Sequence, residues 1–252
     1  GFILALAFNE LYPAEAYPVA EIAASSLLSL FALPYLAPNS LGDDLFAFNP
    51  PLWSLFFELV ANLVYVAIAR RLSLLMLSAI VALGLLILVL SGAIDGGVFK
   101  QTFWLGFPRV ACGFFGGVLL FKLWAAGRLP QIDGNFLMLS LGLLGIFTAP
   151  FFLGGVWFVL VFLLLAGIVV CAIGADPEKP RRVCVFLGKI SYPIYLIHWA
   201  VIGAFGSIVG MAGLTNAHFP LIVLAQLALM TVVGYFVARF YDRPARACLR
   251  RI

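Results

Sequence analysis

FLMLSLGLLGIFTAPFFLGGVWFVLVFLLLAGIVVCAIGA, the stretch from Phe136 to Ala175, contains no Asp, Glu, Lys, Arg or His. A helix needs about 20 predominantly apolar residues to span a hydrocarbon core about 30 Å thick. The stretch divides into two such crossings, Phe136–Phe152 and Val156–Ile173. Five further segments reach or approach that length: Pro51–Ala69, Ser73–Leu90, Pro108–Trp124, Ile190–Val209 and Phe219–Ala238. Glu21–Leu36 is marginal, being short, carrying Glu21 and ending in Leu33-Pro34-Tyr35. The opening run Gly1–Phe8 has no charged leader before it and reads as the trailing half of a helix that begins upstream. The expectation is an all-α fold: a polytopic transmembrane bundle of about seven full helices plus the tail of another, built as one domain over residues 1–252.

Composition agrees. Apolar residues make up 64% of the 252 and charged residues only 10%, where soluble domains average about 45–50% and about 25%. A soluble fold of this size could not hide that much apolar surface. The net charge of +4 does not point to nucleic acid, because the cations sit in short loops between apolar runs. They order the helices instead. With Arg70 and Arg71 cytoplasmic and the later helices alternating, the cytoplasmic loops hold thirteen of the fifteen Lys and Arg residues, leaving Lys100 and Arg109 outside. That bias sets orientation by the positive-inside rule. It implies a cytoplasmic C-terminus and a multi-pass protein of the inner (plasma) membrane. Glu10, Glu15, Glu21, Asp43 and Asp44 then fall on the outer side, where Glu21–Leu36 reads as re-entrant or interfacial.

No metal site is expected. Cys112, Cys171, Cys184 and Cys248 form no Cys-x-x-Cys or Cys/His pair and read as reduced, ordinary thiols. Gly113-xxx-Gly117 and Gly206-xxx-Gly210 have the small-xxx-small spacing of closely packed helices.

Charge inside a membrane is expensive and marks function unless it is paired. Two ionisable residues stand inside predicted helices, Glu58 and His198, and Arg109 stands at the mouth of a third. Helical spacing puts Ser54, Glu58, Asn62 and Tyr65 on one stripe, which is expected to face the bundle interior or a wet cavity. Glu58 could serve catalysis, pair with a buried Arg or donate as a neutral acid. Ser191, Tyr195 and His198 share a face, with Tyr192 beside them. A histidine among hydroxyls can move protons near neutral pH, and it can equally be a satisfied interior side chain. Trp53 and Trp199 fit either a site or an interfacial aromatic belt.

Pro51-Leu52-Trp53-Ser54-Leu55-Phe56-Phe57-Glu58 resembles the tryptophan-serine-leucine signature, ending in glutamate, of the membrane-bound acyltransferase-3 family. Gly188-Lys189-Ile190-Ser191-Tyr192-Pro193-Ile194-Tyr195-Leu196-Ile197-His198-Trp199 is similar to its serine-tyrosine, tyrosine-leucine, histidine signature. Arg109-Val110 through Gly116-Gly117 resembles the entry of a middle helix, and Tyr241-Asp242-Arg243-Pro244-Ala245-Arg246 the closing element, with Asp242 where glutamate is usual. The resemblance runs from about Leu45 to the C-terminus.

It implies a ten-helix membrane O-acyltransferase that binds no cofactor. The donor would be cytoplasmic acyl-CoA as co-substrate, and the acceptor a cell-envelope glycan or lipid-linked sugar. Glu58 and His198 would be catalytic, with Trp53, Ser54, Arg109, Ser191, Tyr192 and Tyr195 contacting substrate. The resemblance also implies a catalytic histidine on the first helix, eleven positions after an Arg or Lys. Eleven positions before His198 and His218 stand Leu187 and Ser207, so that motif is expected upstream of Gly1. Two rival classes are a secondary transporter, against which no inverted repeat is seen, and a non-catalytic membrane scaffold or export partner.

Overall fold

The computed structural model describes residues 17–93, 95–130, 132, 134–148, 155–173, 181–213 and 219–249. Regular structure among them is helical, apart from an isolated bridge between Asp44 and Phe99. The helices are α1 (Val19–Leu30), α2 (Leu52–Ile68), α3 (Leu74–Ser91), α4 (Gly106–Ala125), α5 (Phe136–Thr148), α6 (Gly155–Ile173), α7 (Arg181–Met211), α8 (Phe219–Val237) and α9 (Arg243–Leu249). Short 3-10 turns follow α2 and precede α4, and a π turn, Ala238–Asp242, joins α8 to α9. Six helical stretches among the described residues are long and apolar enough to cross a membrane: Leu52–Arg71, Leu74–Ser91, Phe103–Ala125, Val156–Ile173, Arg182–Met211 and Phe219–Cys248. The expected crossing Phe136–Phe152 is described as helix only over Phe136–Thr148, 13 residues, and positions 149–152 lie outside the described residues. Residues 1–8, where the tail of a further helix was expected, lie outside them too.

The chain divides into two compact units, one of Tyr17–Ala47 with Leu52–Lys179 and one of Phe48–Pro51 with the C-terminal region from Pro180. In the first, α4 packs on α2, α3 and α6, and α6 also packs on α3 and α5. Lipid tails are as apolar as leucine, so packing, small residues and buried polar contacts hold such helices together. Phe57 is the centre of one packed layer. It is fully buried, with ring centroids of Phe56, Phe103, Phe107 and Trp53 at 5.0, 5.6, 5.0 and 6.3 Å. Gly106 opens α4 directly against that ring, where a Cβ would strike it. Pro108 falls in the first turn of α4, where a missing N–H leaves no helical bond unmade. A second layer gathers Leu72, Leu77 and Phe115 around Tyr65 and Phe114. At the end of α4, Lys122 Nζ donates to the Leu72 carbonyl.

Among the described residues the expected close packing at Gly113 and Gly117, and at Gly206 and Gly210, is not found. A Cβ built at any of the four meets nothing within 4 Å. The close approaches fall at Gly84, where a Cβ would stand 2.6 Å from Cys112 Sγ, and at Gly116, 2.8 Å from the Phe162 ring. Spacing reports only that small residues share a face, and the neighbouring helices here pack on other faces.

The segments before α2 and α4 are laced together. Tyr35 N donates to Leu45 O at 3.0 Å, Leu45 N to Val98 O at 3.3 Å, Lys100 N to Asp43 O at 2.9 Å and Lys100 Nζ to Gly42 O at 2.8 Å. Glu21 accepts from Ser40 N at 2.9 Å and Ser40 Oγ at 2.6 Å, tying α1 to this cap. At 12 residues α1 is about 18 Å long, well short of a crossing.

In the second unit α7 and α8 run antiparallel, with Phe186 and Tyr235 rings 6.4 Å apart and Gly234 set against Ile194. The crossing expected to begin at Ile190 belongs to a 31-residue helix that starts at Arg181. At 1.5 Å per residue it is about 46 Å long, beyond a core of about 30 Å. The added turns carry Arg181, Arg182 and Lys189, good helix formers that hydropathy alone assigns to a loop.

Candidate functional site

Arg109 is the fourth residue of α4. Its guanidinium carbon lies 4.7 Å from the ring centroid of Trp53, on the first turn of α2, and 5.2 Å from that of Phe158, on α6. Nη1 donates to the Gly96 carbonyl at 3.2 Å. Each such cation–π contact contributes about 0.5–2 kcal/mol, more as water is excluded. Among the described residues no carboxylate lies within ion-pairing distance of Arg109. A guanidinium has five N–H donors in a planar fork, and among the described residues Gly96 O is the acceptor that Arg109 bonds. Trp53 and Arg109, picked out separately in the sequence, are therefore one construction. Gly96 and Phe158 complete it. No sequence signal marked either, because one acts through its backbone and the other is one aromatic among many.

Within its own unit the polar stripe of α2 is not the packed face. Glu58 and Asn62 are exposed, and Ser54 and Tyr65 half-buried. The packed face of α2 is instead Trp53, Phe57 and Ala61 at i, i+4 and i+8. Glu58 follows Phe57 by one residue and so stands about 100° round the helix from that face. Asn62 Nδ2 donates to the Glu58 carbonyl at 2.9 Å. No ion pair joins Glu58 to Arg109.

The second signature lies in the other unit. His198 is half-buried, with Nδ1 2.7 Å from the Tyr195 carbonyl one turn earlier. A carbonyl oxygen only accepts, so Nδ1 carries the proton. In the neutral ring Nε2 then holds the lone pair, oriented by the bond at Nδ1. Tyr195 Oη donates to Pro51 O at 2.5 Å, and Asn49 Nδ2 to Leu196 O at 3.1 Å. Residues 48–51 are thus pinned along the turn of α7 that bears His198. Ser191 is exposed and donates to the Gly188 carbonyl of its own helix at 3.1 Å. Tyr192 is exposed beneath Arg246, whose guanidinium lies 5.8 Å from the ring and bonds Asp242 at 2.8 Å. Asp242, standing where the resembling element has glutamate, therefore fixes Arg246 over the signature tyrosine. Asn49 was not foreseen, although its pairing with two following prolines is visible in the sequence. No group of three or more His, Cys, Asp or Glu side chains among the described residues could hold a metal ion.

A family model described as an acyltransferase domain matches residues 3–239, nearly the whole chain. The chain belongs to the acyltransferase-3 family. It is thus a membrane acyltransferase domain, and the resemblance read from the two signatures holds at the level of family and enzyme class. Searches of curated proteins and of solved structures return no match.

Proposed function

We propose that the chain is an O-acyltransferase of the inner (plasma) membrane, with its C-terminus in the cytoplasm. It would carry an acyl group, acetyl by preference, from cytoplasmic acyl-CoA to a hydroxyl of a cell-envelope glycan or lipid-linked sugar outside. Membership of an acyltransferase family across residues 3–239 is the observation that carries this reading, and the thirteen-to-two division of cations supports the orientation.

In the reaction the acceptor oxygen loses its proton to a base and attacks the thioester carbonyl. The new C–O bond forms as the C–S bond breaks, and the CoA thiolate leaves with a proton. His198 suits the acid–base part, because its Nδ1–H is held by Tyr195 O and Nε2 presents a lone pair. Protonated there, it becomes the donor for the departing thiolate or for the developing oxyanion. Glu58 is the carboxylate we assign to orienting or deprotonating the acceptor hydroxyl. Its exposed position on α2 favours a group that meets a substrate over one that serves packing. Arg109, held against Trp53, binds an anionic group. Ser54, Ser191, Tyr192 and Tyr195 are assigned to substrate contact.

The test is acyl transfer from acyl-CoA to a sugar by the purified full-length protein in detergent. Wild type is expected to transfer, and His198→Ala and Glu58→Gln to lose transfer at normal abundance in the membrane. If wild type transfers no acyl group but drives gradient-dependent uptake in sealed vesicles, the transporter reading replaces this one.

A further inference from the structure

A cavity of about 360 Å³ opens among α3, α4, α5 and α6 beside Arg109. It falls within the roughly 300–1,000 Å³ of small-molecule sites. Its wall is apolar: Leu85 and Leu88 from α3, Gly113 from α4, Ile146 from α5, Val161 and Leu165 from α6. Among the described residues that line it, Arg109 is the one that is charged. Phe158, whose ring carries the Arg109 guanidinium, also lines it. From Phe158 to Leu165 the α6 wall runs seven residues, about 10 Å of helix. Gly113 follows Arg109 by one turn on α4, and a Cβ there meets nothing within 4 Å. That absent side chain leaves the α4 wall of the cavity open at this turn.

We propose that this cavity binds a single-chain anionic amphiphile, a phosphate or carboxylate on an aliphatic tail. The anionic oxygens pair with the N–H groups of Arg109 that bond no described residue. The tail lies along Val161 and Leu165, opposite Leu85 and Leu88. Each half has its own physical reason. A half-buried guanidinium in the first turn of α4, facing an apolar space, pairs favourably with an anion, and the space beyond is lined by side chains that no polar ligand would prefer to water. This rests on the proposed function, which gives Arg109 an anionic group, and it names the class of that group.

The experiment uses the purified protein in an uncharged detergent, without acyl-CoA, and three probes: decyl phosphate, decanol and inorganic phosphate. Decyl phosphate is expected to bind saturably and raise the thermal midpoint, with each of the others at least tenfold weaker. Arg109→Gln should bring decyl phosphate down to the level of decanol, and Gly113→Phe should lower its affinity at least tenfold by filling the tail's space. A decyl phosphate with a diazirine at the tail end should crosslink wild type within α6, near Val161 to Leu165, which tests the site without any variant. Equal binding of decanol would show that the charge is unused, and equal binding of inorganic phosphate that the tail is unused. Crosslinking elsewhere would place the amphiphile outside the cavity. Any of these three results overturns the proposal and leaves the acyltransferase reading untouched.

Discussion

Gly84→Ala should destabilise the protein while Gly113→Ala stabilises it, although both glycines lie inside helices. A methyl at Gly84 would stand 2.6 Å from Cys112 Sγ and 3.0 Å from the Pro108 carbonyl oxygen, against about 3.5–4.0 Å for comfortable contact. Replacing an interior helical glycine by alanine gains roughly 1 kcal/mol. Forcing a methyl into a packed contact costs about 1–3 kcal/mol. The net at Gly84 is then about 0–2 kcal/mol destabilising. At Gly113 no atom lies within 4 Å of the new methyl, so only the gain of roughly 0.5–1 kcal/mol remains. At about 2–4 °C per kcal/mol for a chain of this size, the two variants should melt several degrees apart on opposite sides of wild type. A second site isolates the cause. Cys112→Ala removes the sulfur, so Gly84→Ala combined with Cys112→Ala should be more stable than the sum of the two changes predicts. The coupling should lie within the roughly 0.5–3 kcal/mol seen for residues in contact. Thermal unfolding of the four proteins in one detergent measures it. Equal melting of Gly84→Ala and Gly113→Ala, or strict additivity with Cys112→Ala, would mean that α3 and α4 do not meet at this pair.

Arg109→Lys should weaken binding of the anionic probe to a level between wild type and Arg109→Gln, because an ammonium keeps the charge but lacks the planar fork that lies on Trp53 and Phe158; calorimetric titration reads it. The Ser40 hydroxyl holds the Glu21 carboxyl below its ordinary range, with the Ser40 N–H helping. A depressed carboxylate stabilises the fold above the unfolded pKa and loses that contribution as pH falls through the folded value. Amide protection around residues 38–42, corrected for the intrinsic exchange rate, should therefore fall on acidification, and Ser40→Ala should erase most of that pH dependence. Asp44 has the opposite sign: burial raises its pKa, Asp43 adds to the shift and Lys100 opposes it. Stability then declines as pH rises through the raised value, and Asp44→Asn should raise the melting temperature at neutral pH with an advantage that vanishes in acid. On the proposed topology, an impermeant thiol reagent applied to sealed cells should label Gln101→Cys and spare Cys184 and Cys248.

The sequence by itself determined the solvent and the class of fold. Charge-free stretches such as that from Phe136 to Ala175 leave only lipid as a solvent and only helices as spanning structures. It also determined the family, because Trp53-Ser54-Leu55 to Glu58 and Ser191-Tyr192 to His198 keep a family's chemistry in order along the chain. Tertiary structure decided which faces of those helices meet. Period 3.6 put Ser54, Glu58 and Asn62 on one stripe but could not say that α2 packs through Trp53, Phe57 and Ala61 and leaves Glu58 exposed. Small-xxx-small spacing marked Gly113 and Gly117, while the close contact fell at Gly84, whose partner Cys112 belongs to another helix. Periodicity is a property of one helix, and a contact is a property of two. Without a hydrophobic force between helices in lipid, the contact is chosen by side-chain shape. The seat of Arg109 between Trp53 and Phe158, 56 and 49 positions away along the chain, is a choice of that kind.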